Sequence, residues 1–253
     1  MTASIQLLDQ HFVATYEAWV RIADTLKVDI ADLTDEAFLT ERPATKFILT
    51  WMRSLGEFQT KFGKLFGRIK RPPKADEFTA AVAIGLEQFL AARGFAGRVA
   101  SEETIHQAKG ATRPDISVYS HSGQLLATVE CKTNLGWNRK EWKDQMDKRT
   151  EQMRVSCPGS ESFLCVLTRS NWDYSEFERS PLCGKQWFCL SIVPVGHISD
   201  PVADSDMLLP IEPMFLDILA KVRTGFVEQI LRLSPDDQEK ILRSLQANGG
   251  NPC

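Results

Sequence analysis

Two carboxylates and a lysine stand in a stretch of sequence whose other residues are typical of a buried β-sheet. Asp115 opens a short apolar run, and Glu130 and Lys132 stand two residues apart in a longer one. If the two runs pair as a hairpin, Asp115 lies beside Glu130 although fourteen residues separate them in the chain. Carboxylates in such a half-buried position repel each other unless a cation lies between them. Mg²⁺ prefers oxygen ligands, and Lys132, on the same face as Glu130, is then placed to contact a phosphate or to activate a water molecule.

The surrounding pattern predicts the elements that hold these residues. The run from Leu125 to Lys132 favours a strand, with even-numbered residues on one face and odd-numbered residues on the other. The His-Ser-Gly sequence before it has the composition of a hairpin turn. Upstream, residues 76–95 show one apolar stripe at helical spacing, which Gly94 ends. One helix, several strands, a second helix and further strands together predict an α/β unit.

Composition divides the chain into three regions. Residues 1–73 show helical periodicity and end in a basic segment, residues 61–74, which has six basic residues, no acidic ones and a Pro-Pro pair. Residues 74–198 form the α/β core, and residues 199–253 return to helical periodicity. The helical regions are the candidates for a dimer interface. The basic segment is either a surface for a nucleic-acid backbone or a helix that shows its lysines to water.

Overall composition excludes several classes of protein. The chain has 253 residues and a net charge of -3 at pH 7, which argues against a uniformly basic nucleic-acid coat. It has no apolar run long enough to cross a membrane and no secretory signal, so we expect a cytoplasmic protein without a membrane partner. Six scattered cysteines without zinc-finger spacing predict reduced thiols. The lack of a G-x-x-x-x-G-K-[ST] loop argues against an ATP-driven motor.

The sequence Pro114-Asp115, followed by Glu130-Cys131-Lys132, resembles the signature of the PD-(D/E)XK nuclease superfamily, which has the restriction-endonuclease-like fold. The resemblance covers about 120 residues, 76–195, and the order of elements makes it more specific than the short motif alone. It implies an αβββαβ core, here with helical N- and C-terminal extensions. It also implies metal-dependent phosphodiester hydrolysis, with Asp115, Glu130 and the backbone carbonyl of Cys131 as metal ligands and Lys132 assisting the attacking water. The implied cofactor is Mg²⁺, with Mn²⁺ as a substitute.

The resemblance further implies a carboxylate from the first helix of the core, and several residues fit that role. Glu77 and Glu87 both lie off the apolar stripe, so periodicity does not separate them. We assign the role to Glu77, because related nucleases tend to place this residue early in the helix. Glu102 and Glu103, which follow the first predicted strand, are the other candidates.

Polar and basic residues after the Glu-Cys-Lys strand are candidates for binding DNA. Arg139 and Lys140 stand closest to Lys132, and Arg139 and Lys143 are one helical turn apart, on a face that can contact phosphate oxygens. Gln145 is a further candidate, because similarly placed residues reach the site in relatives. The alternative is a solvated helix laced with salt bridges.

The sequence therefore predicts a Mg²⁺-dependent endodeoxyribonuclease that acts on double-stranded DNA as a homodimer, in the setting of type II restriction or phage defence. A structure-specific repair or recombination nuclease is the first alternative, which the sequence does not distinguish from a restriction enzyme. A DNA-binding protein that keeps the fold without cleaving is the second, and the intact Asp115, Glu130 and Lys132 argue against it. In the remaining interpretation, the motif is a surface hairpin with ordinary charges.

Overall fold

A five-stranded mixed β-sheet lies at the centre of the protein and carries helices on both faces. The structure, a computed structural model, describes residues 2–65, 75–95, 97–105, 112–136, 142–231 and 234–247. The helices are α1 (Thr2–Ala31), α2 (Asp35–Glu41), α3 (Pro43–Leu65), α4 (Ala75–Ala92), α5 (Trp142–Ser156), α6 (Ser175–Glu178), α7 (Glu212–Leu231) and α8 (Pro235–Ala247). The strands are β1 (Arg98–Ser101), β2 (Ile116–Tyr119), β3 (Leu125–Lys132), β4 (Glu161–Thr168) and β5 (Trp187–Ser191). None of the described helices is long and apolar enough to span a membrane.

The strands follow one another across the sheet in the order β1-β2-β3-β4-β5. The first three pair antiparallel, whereas β3, β4 and β5 run parallel, joined first through α5 and then through the segment that contains α6. β2 and β3 form the predicted hairpin. Its turn is closed by a hydrogen bond of 2.8 Å from Ser120 N to Gln124 O, and Gly123 supplies the positive φ of 82° that the turn requires.

The hairpin register determines where the acidic residues lie. Ile116 of β2 pairs with Val129 of β3. Continuing that register by one residue places Asp115 opposite Glu130, at the end of the hairpin away from the turn.

The predicted alternation along β3 is wrong at its first two residues. Leu126 packs in the main core beside Ala127, whereas Leu125 packs with Tyr119 on the other face. The cause is a β-bulge: Val118 pairs with Ala127 but Tyr119 pairs with Leu125, so Leu126 is the extra residue. From Ala127 onward the alternation holds, and the even-numbered residues lie on the side of α5.

The main hydrophobic core lies on the face of the sheet opposite α5 and draws residues from the N-terminal helices, α4, the strands and α7. A buried polar link joins α3 to the start of α7. Thr45 donates to the Glu212 carboxylate from its backbone N at 2.8 Å and from Oγ1 at 2.6 Å, and Ile211 N donates to Thr45 Oγ1 at 2.9 Å. The N-terminal helices and α7 thus pack into the same core as the sheet.

Aromatic residues hold α5 on the other face of the sheet. Trp142 and Met146 of α5 pack with Phe177 and Trp187. The rings of Trp142 and Trp187 meet edge to face with centroids 5.1 Å apart. This packing fixes α5 over the even-numbered side of β3.

Candidate active site

Asp115, Glu130 and Lys132 meet where β2 begins and β3 ends. The Lys132 ammonium lies between the two carboxylates, 2.8 Å from Oδ2 of Asp115 and 3.1 Å from Oε2 of Glu130. Strand β3 supplies Glu130 and Lys132 from one face, and the antiparallel register with β2 supplies Asp115. The two carboxylates therefore meet as predicted, with the lysine of the same motif as the cation between them.

Cys131 contributes its backbone rather than its thiol. Its backbone N donates to Oδ2 of Asp115 at 2.7 Å, which fixes that carboxylate against β3. Its side chain lies in the main core, and burial raises the pKa of the thiol well above its ordinary value. The thiol is therefore neutral and unreactive. The role of the Cys131 carbonyl as a metal ligand stays a prediction.

A second cation, Arg149 of α5, reaches the same site. Its guanidinium forms an ion pair with Oε2 of Glu130, whose side chain is only 6% exposed. Sequence reasoning missed this residue, although a signal was present. Trp142, Met146 and Met153 are the buried residues of α5, and Arg149 lies at helical spacing from them on the same side. A basic residue within such a stripe faces the sheet rather than solvent.

The buried position of Glu130 dominates the electrostatics of the site. Burial, and then the charge of Asp115, raise the pKa of Glu130 above its ordinary value, while Lys132 and Arg149 oppose that rise. Burial alone would lower the pKa of Lys132. Its hydrogen bond to Asp115 and the charges of Glu130 and Asp115 outweigh burial, so the pKa of Lys132 lies above its ordinary value. At neutral pH Lys132 is thus an ammonium ion and cannot accept a proton in this arrangement.

Asp115 and Lys132 line a cleft of about 930 Å³. The first turn of α4 and the loops after β1, β3 and β4 form other parts of its wall. Asp76, on that first turn, lines the cleft and was not among the predicted site residues, although it directly precedes the predicted Glu77. Among the described lining residues, three are acidic, Asp76, Glu102 and Asp115, and one is basic, Lys132.

The four candidates for the additional carboxylate lie in different environments. Glu77, near the start of α4, is partly buried, and its Oε2 is a buried atom without a hydrogen-bond partner in the described structure. Glu87 is exposed on the same helix. Glu102 lines the cleft and pairs with Arg113, while Glu103 pairs with an arginine of β1. An unpaired buried oxygen can accept a donor or a cation, but Glu77 is not part of the described cleft wall, so its role stays a prediction.

The predicted DNA-binding residues fall into two groups. Arg139 and Lys140 lie outside the described residues. Lys143 donates to Oδ2 of Asp147 at 2.8 Å, one turn further along α5, and Gln145 is exposed on the same helix. Neither Lys143 nor Gln145 is among the described residues that line the cleft. Their contact with DNA stays a prediction.

The donor atoms at the site suit Mg²⁺. Asp115 and Glu130 offer carboxylate oxygens, and within the described residues the side-chain hydrogen bonds of Asp115 use Oδ2 alone. Mg²⁺ usually binds one or two carboxylates and keeps several water molecules, which matches this pair. Among the described residues, no group of three or more His, Cys, Asp or Glu side chains is arranged as a metal site.

Comparisons with known proteins add little to this geometry. No model of a protein family matches the chain, and no curated protein matches it. Among solved structures, it is similar to a chain of the native BbvCI A2B2 tetramer, with 14% identity and a TM-score of 0.32 over 79% of this chain and 95% of that chain. A TM-score of this size does not show a shared fold and has no bearing on function.

Proposed function

We propose that this protein is a divalent-metal-dependent endodeoxyribonuclease with the αβββαβ core of the PD-(D/E)XK nucleases. The observation that carries the proposal is the meeting of Asp115, Glu130 and Lys132 at one end of the hairpin, beside an open cleft. The order of elements supports it, because α4, β1, β2, β3, α5 and β4 follow one another as such a core requires. The proposed substrate is double-stranded DNA, cut by a homodimer in restriction or phage defence.

The charge of the cleft supports a requirement for metal ions. DNA is a polyanion, whereas the described lining has the carboxylates of Asp76, Glu102 and Asp115 against the single ammonium of Lys132. Such a wall repels a phosphodiester unless further cations enter with it. An ion held by Asp115 and Glu130 would reverse the local charge at the position where the phosphate is attacked.

In the proposed mechanism, Asp115, Glu130 and the carbonyl of Cys131 would hold Mg²⁺ or Mn²⁺. The chemistry that a bound ion supplies is Lewis acidity, which polarises the scissile phosphate and lowers the pKa of a water molecule. Lys132 leaves the carboxylates and places its ammonium against the phosphate, where it stabilises the negative charge of the transition state. Arg149 keeps its ion pair with Glu130 and holds that side chain in position.

One observation favours a second candidate, a DNA-binding protein that keeps the site without cleaving. Lys132 and Arg149 place two positive charges against the carboxylates of Asp115 and Glu130, so this pair is neutralised without a metal ion. The two candidates differ in whether an ion can displace Lys132.

Digestion of mixed plasmid and phage DNA by the purified chain tests the proposal. We expect cutting with Mg²⁺ or Mn²⁺ and none with Ca²⁺, which accepts oxygen ligands but imposes a looser geometry on them. Asp115→Asn should abolish cutting, and Asp147→Asn, which changes an exposed carboxylate on α5, is the matched control. Full cutting in EDTA, or by the Asp115→Asn variant, contradicts the proposal. Binding of DNA without cutting under every ion favours the non-cleaving candidate.

A further inference from the structure

Two asparagines lie in the cleft wall just beyond the carboxyl ends of neighbouring strands. Asn134 follows β3 and Asn171 follows β4, and both line the cleft that contains Asp115 and Lys132. Because β3 and β4 are parallel neighbours, the loops after them leave the sheet at the same edge. Both asparagines therefore lie on the side of the cleft where a substrate bound at Lys132 would extend.

The backbone around Asn171 is held in place by its neighbours. Ser170 N donates to Thr168 Oγ1 at 3.1 Å, and the indole of Trp172 donates to the Thr168 carbonyl at 2.8 Å. Trp172 also packs edge to face against Trp142. Asn171 itself is exposed and has a φ of 70°, a left-handed conformation that asparagine adopts more readily than most residues. The loop thus presents Asn171 in a defined orientation.

Asn134 is presented in a similar way. On one side, the carbonyl of Thr133 accepts a hydrogen bond of 3.3 Å from Thr168 N. On the other side, Leu135 is buried at 2% exposure in the aromatic cluster beneath α5. Asn134 lies between these two fixed residues and is partly exposed.

Neither amide group has a hydrogen-bond partner among the described residues. Each amide offers two N–H donors and one acceptor oxygen, so both side chains can donate hydrogen bonds to a ligand in the cleft. The neighbouring charges explain why an amide suits this wall better than a lysine. A further cation here would pair with the nearby carboxylates, as Lys132 does, whereas a neutral donor stays available to a ligand.

We propose that the amides of Asn134 and Asn171 form a neutral contact site for phosphate oxygens of the DNA strand beside the scissile bond. The inference rests on the function proposed above. Asn134 lines the same cleft as Lys132, two residues away in the chain, so we place its amide against the strand backbone near the scissile phosphate. Asparagine is among the side chains that donate to phosphate oxygens in protein–DNA complexes. Both residues would position the strand and take no part in proton transfer.

DNA affinity over a series of salt concentrations tests this inference, with the full chain, a mixed-sequence duplex and Ca²⁺ as the ion. Asn171→Gly, which keeps the left-handed backbone without the amide, and Asn134→Ala should each lower affinity about tenfold. The slope of log affinity against log salt should stay unchanged, because a neutral side chain releases no counterion. Asn171→Asp keeps the size of the side chain and should weaken binding more than Asn171→Gly, since a carboxylate repels phosphate.

The control is Gln124→Ala, which removes an exposed amide in the turn at the other end of the hairpin and should leave affinity unchanged. Melting temperatures close to that of the wild type show that the variants are folded. Unchanged affinity in Asn134→Ala and Asn171→Gly, or an altered salt slope in these two neutral variants, overturns the inference. A loss confined to particular DNA sequences also overturns it and indicates base readout instead. If the wild-type chain binds no DNA, the proposed function itself is refuted. If the wild type binds and cuts DNA and the asparagine variants bind it equally well, only this inference is refuted.

Discussion

Replacing Lys132 by methionine should tighten the binding of Mg²⁺ while removing most of the cleavage activity. The Lys132 ammonium lies between the two carboxylates, at the position that the proposed ion needs. Because the two cations repel each other and compete for the same oxygens, Mg²⁺ must displace the ammonium before it binds. Methionine keeps an unbranched apolar chain at this position and carries no charge.

The size of the effect follows from the two contacts of the ammonium. Its Nζ lies 2.8 Å from Asp115 and 3.1 Å from Glu130. At an effective dielectric constant of about 20, these distances correspond to Coulomb attractions of about 6 and about 5 kcal/mol. Desolvation cancels most of that attraction, and each hydrogen bond to a charged group leaves a net contribution of about 1.5–3 kcal/mol. With about 1.36 kcal/mol for each factor of ten, the loss of even one such contact should tighten Mg²⁺ binding at least about tenfold.

Calorimetric titration with Mg²⁺ measures this affinity. Burial and the charge of Asp115 raise the pKa of Glu130, so the titration is repeated at increasing pH until the affinity for Mg²⁺ no longer changes. Single-turnover cleavage by Lys132→Met should fall about a hundredfold or more, because a charge that stabilises the transition state is lost. The matched control is Lys240→Met, since the Lys240 ammonium also pairs with an aspartate, 3.2 Å from Oδ1 of Asp237 on α8. Equal or weaker Mg²⁺ binding by Lys132→Met would refute the reasoning.

Further predictions concern other carboxylates and one hydroxyl group. Glu77→Gln should lower single-turnover cleavage about 10- to 100-fold, whereas Glu87→Gln, exposed on the same helix, should be silent; equal rates would remove Glu77 from the site. Thr45→Val should lower the free energy of unfolding in denaturant titrations by about 2–4 kcal/mol, because it leaves Ile211 N and a Glu212 oxygen buried without that partner. Burial raises the pKa of Glu212, so the contribution of this carboxyl to stability is fully present below the ordinary glutamate pKa and is lost as pH rises through the raised value. The wild type should therefore lose stability relative to Glu212→Gln as the pH rises, and parallel pH profiles would contradict this.

Local patterns were sufficient to predict that Asp115 and Glu130 meet. The alternation along β3 and the composition of the turn both lie within the hairpin, so no distant contact had to be known. The apolar stripe of α4 is likewise buried as its spacing predicted. The bulge at Leu126 was missed, because it depends on how the two strands pair and not on the type of residue at that position.

Contacts between distant segments could not be predicted from local patterns. Thr45 and Glu212 are separated by 167 positions, and the sequence around each is that of an ordinary helix start. Helical periodicity identifies which face of a helix is buried but not which element covers it. For the same reason, the sequence did not predict that the N-terminal helices and α7 pack into the core beside the sheet.

The cations beside Asp115 and Glu130 were also not predicted from local patterns. They determine which of the two carboxylates matters more for metal binding. Facing carboxylates need a cation, and the structure places Lys132 and Arg149 beside them, while the metal ion expected from the sequence stays a prediction. These two cations are not equivalent. Lys132 bridges both carboxylates, whereas the ion pair described for Arg149 is with Glu130. If Lys132 departs, Glu130 keeps a charged partner, whereas the described residues leave Asp115 with the backbone N–H of Cys131 alone. Asp115 is therefore the carboxylate whose charge an incoming metal ion must neutralise, and its loss should cost more metal affinity than the loss of Glu130.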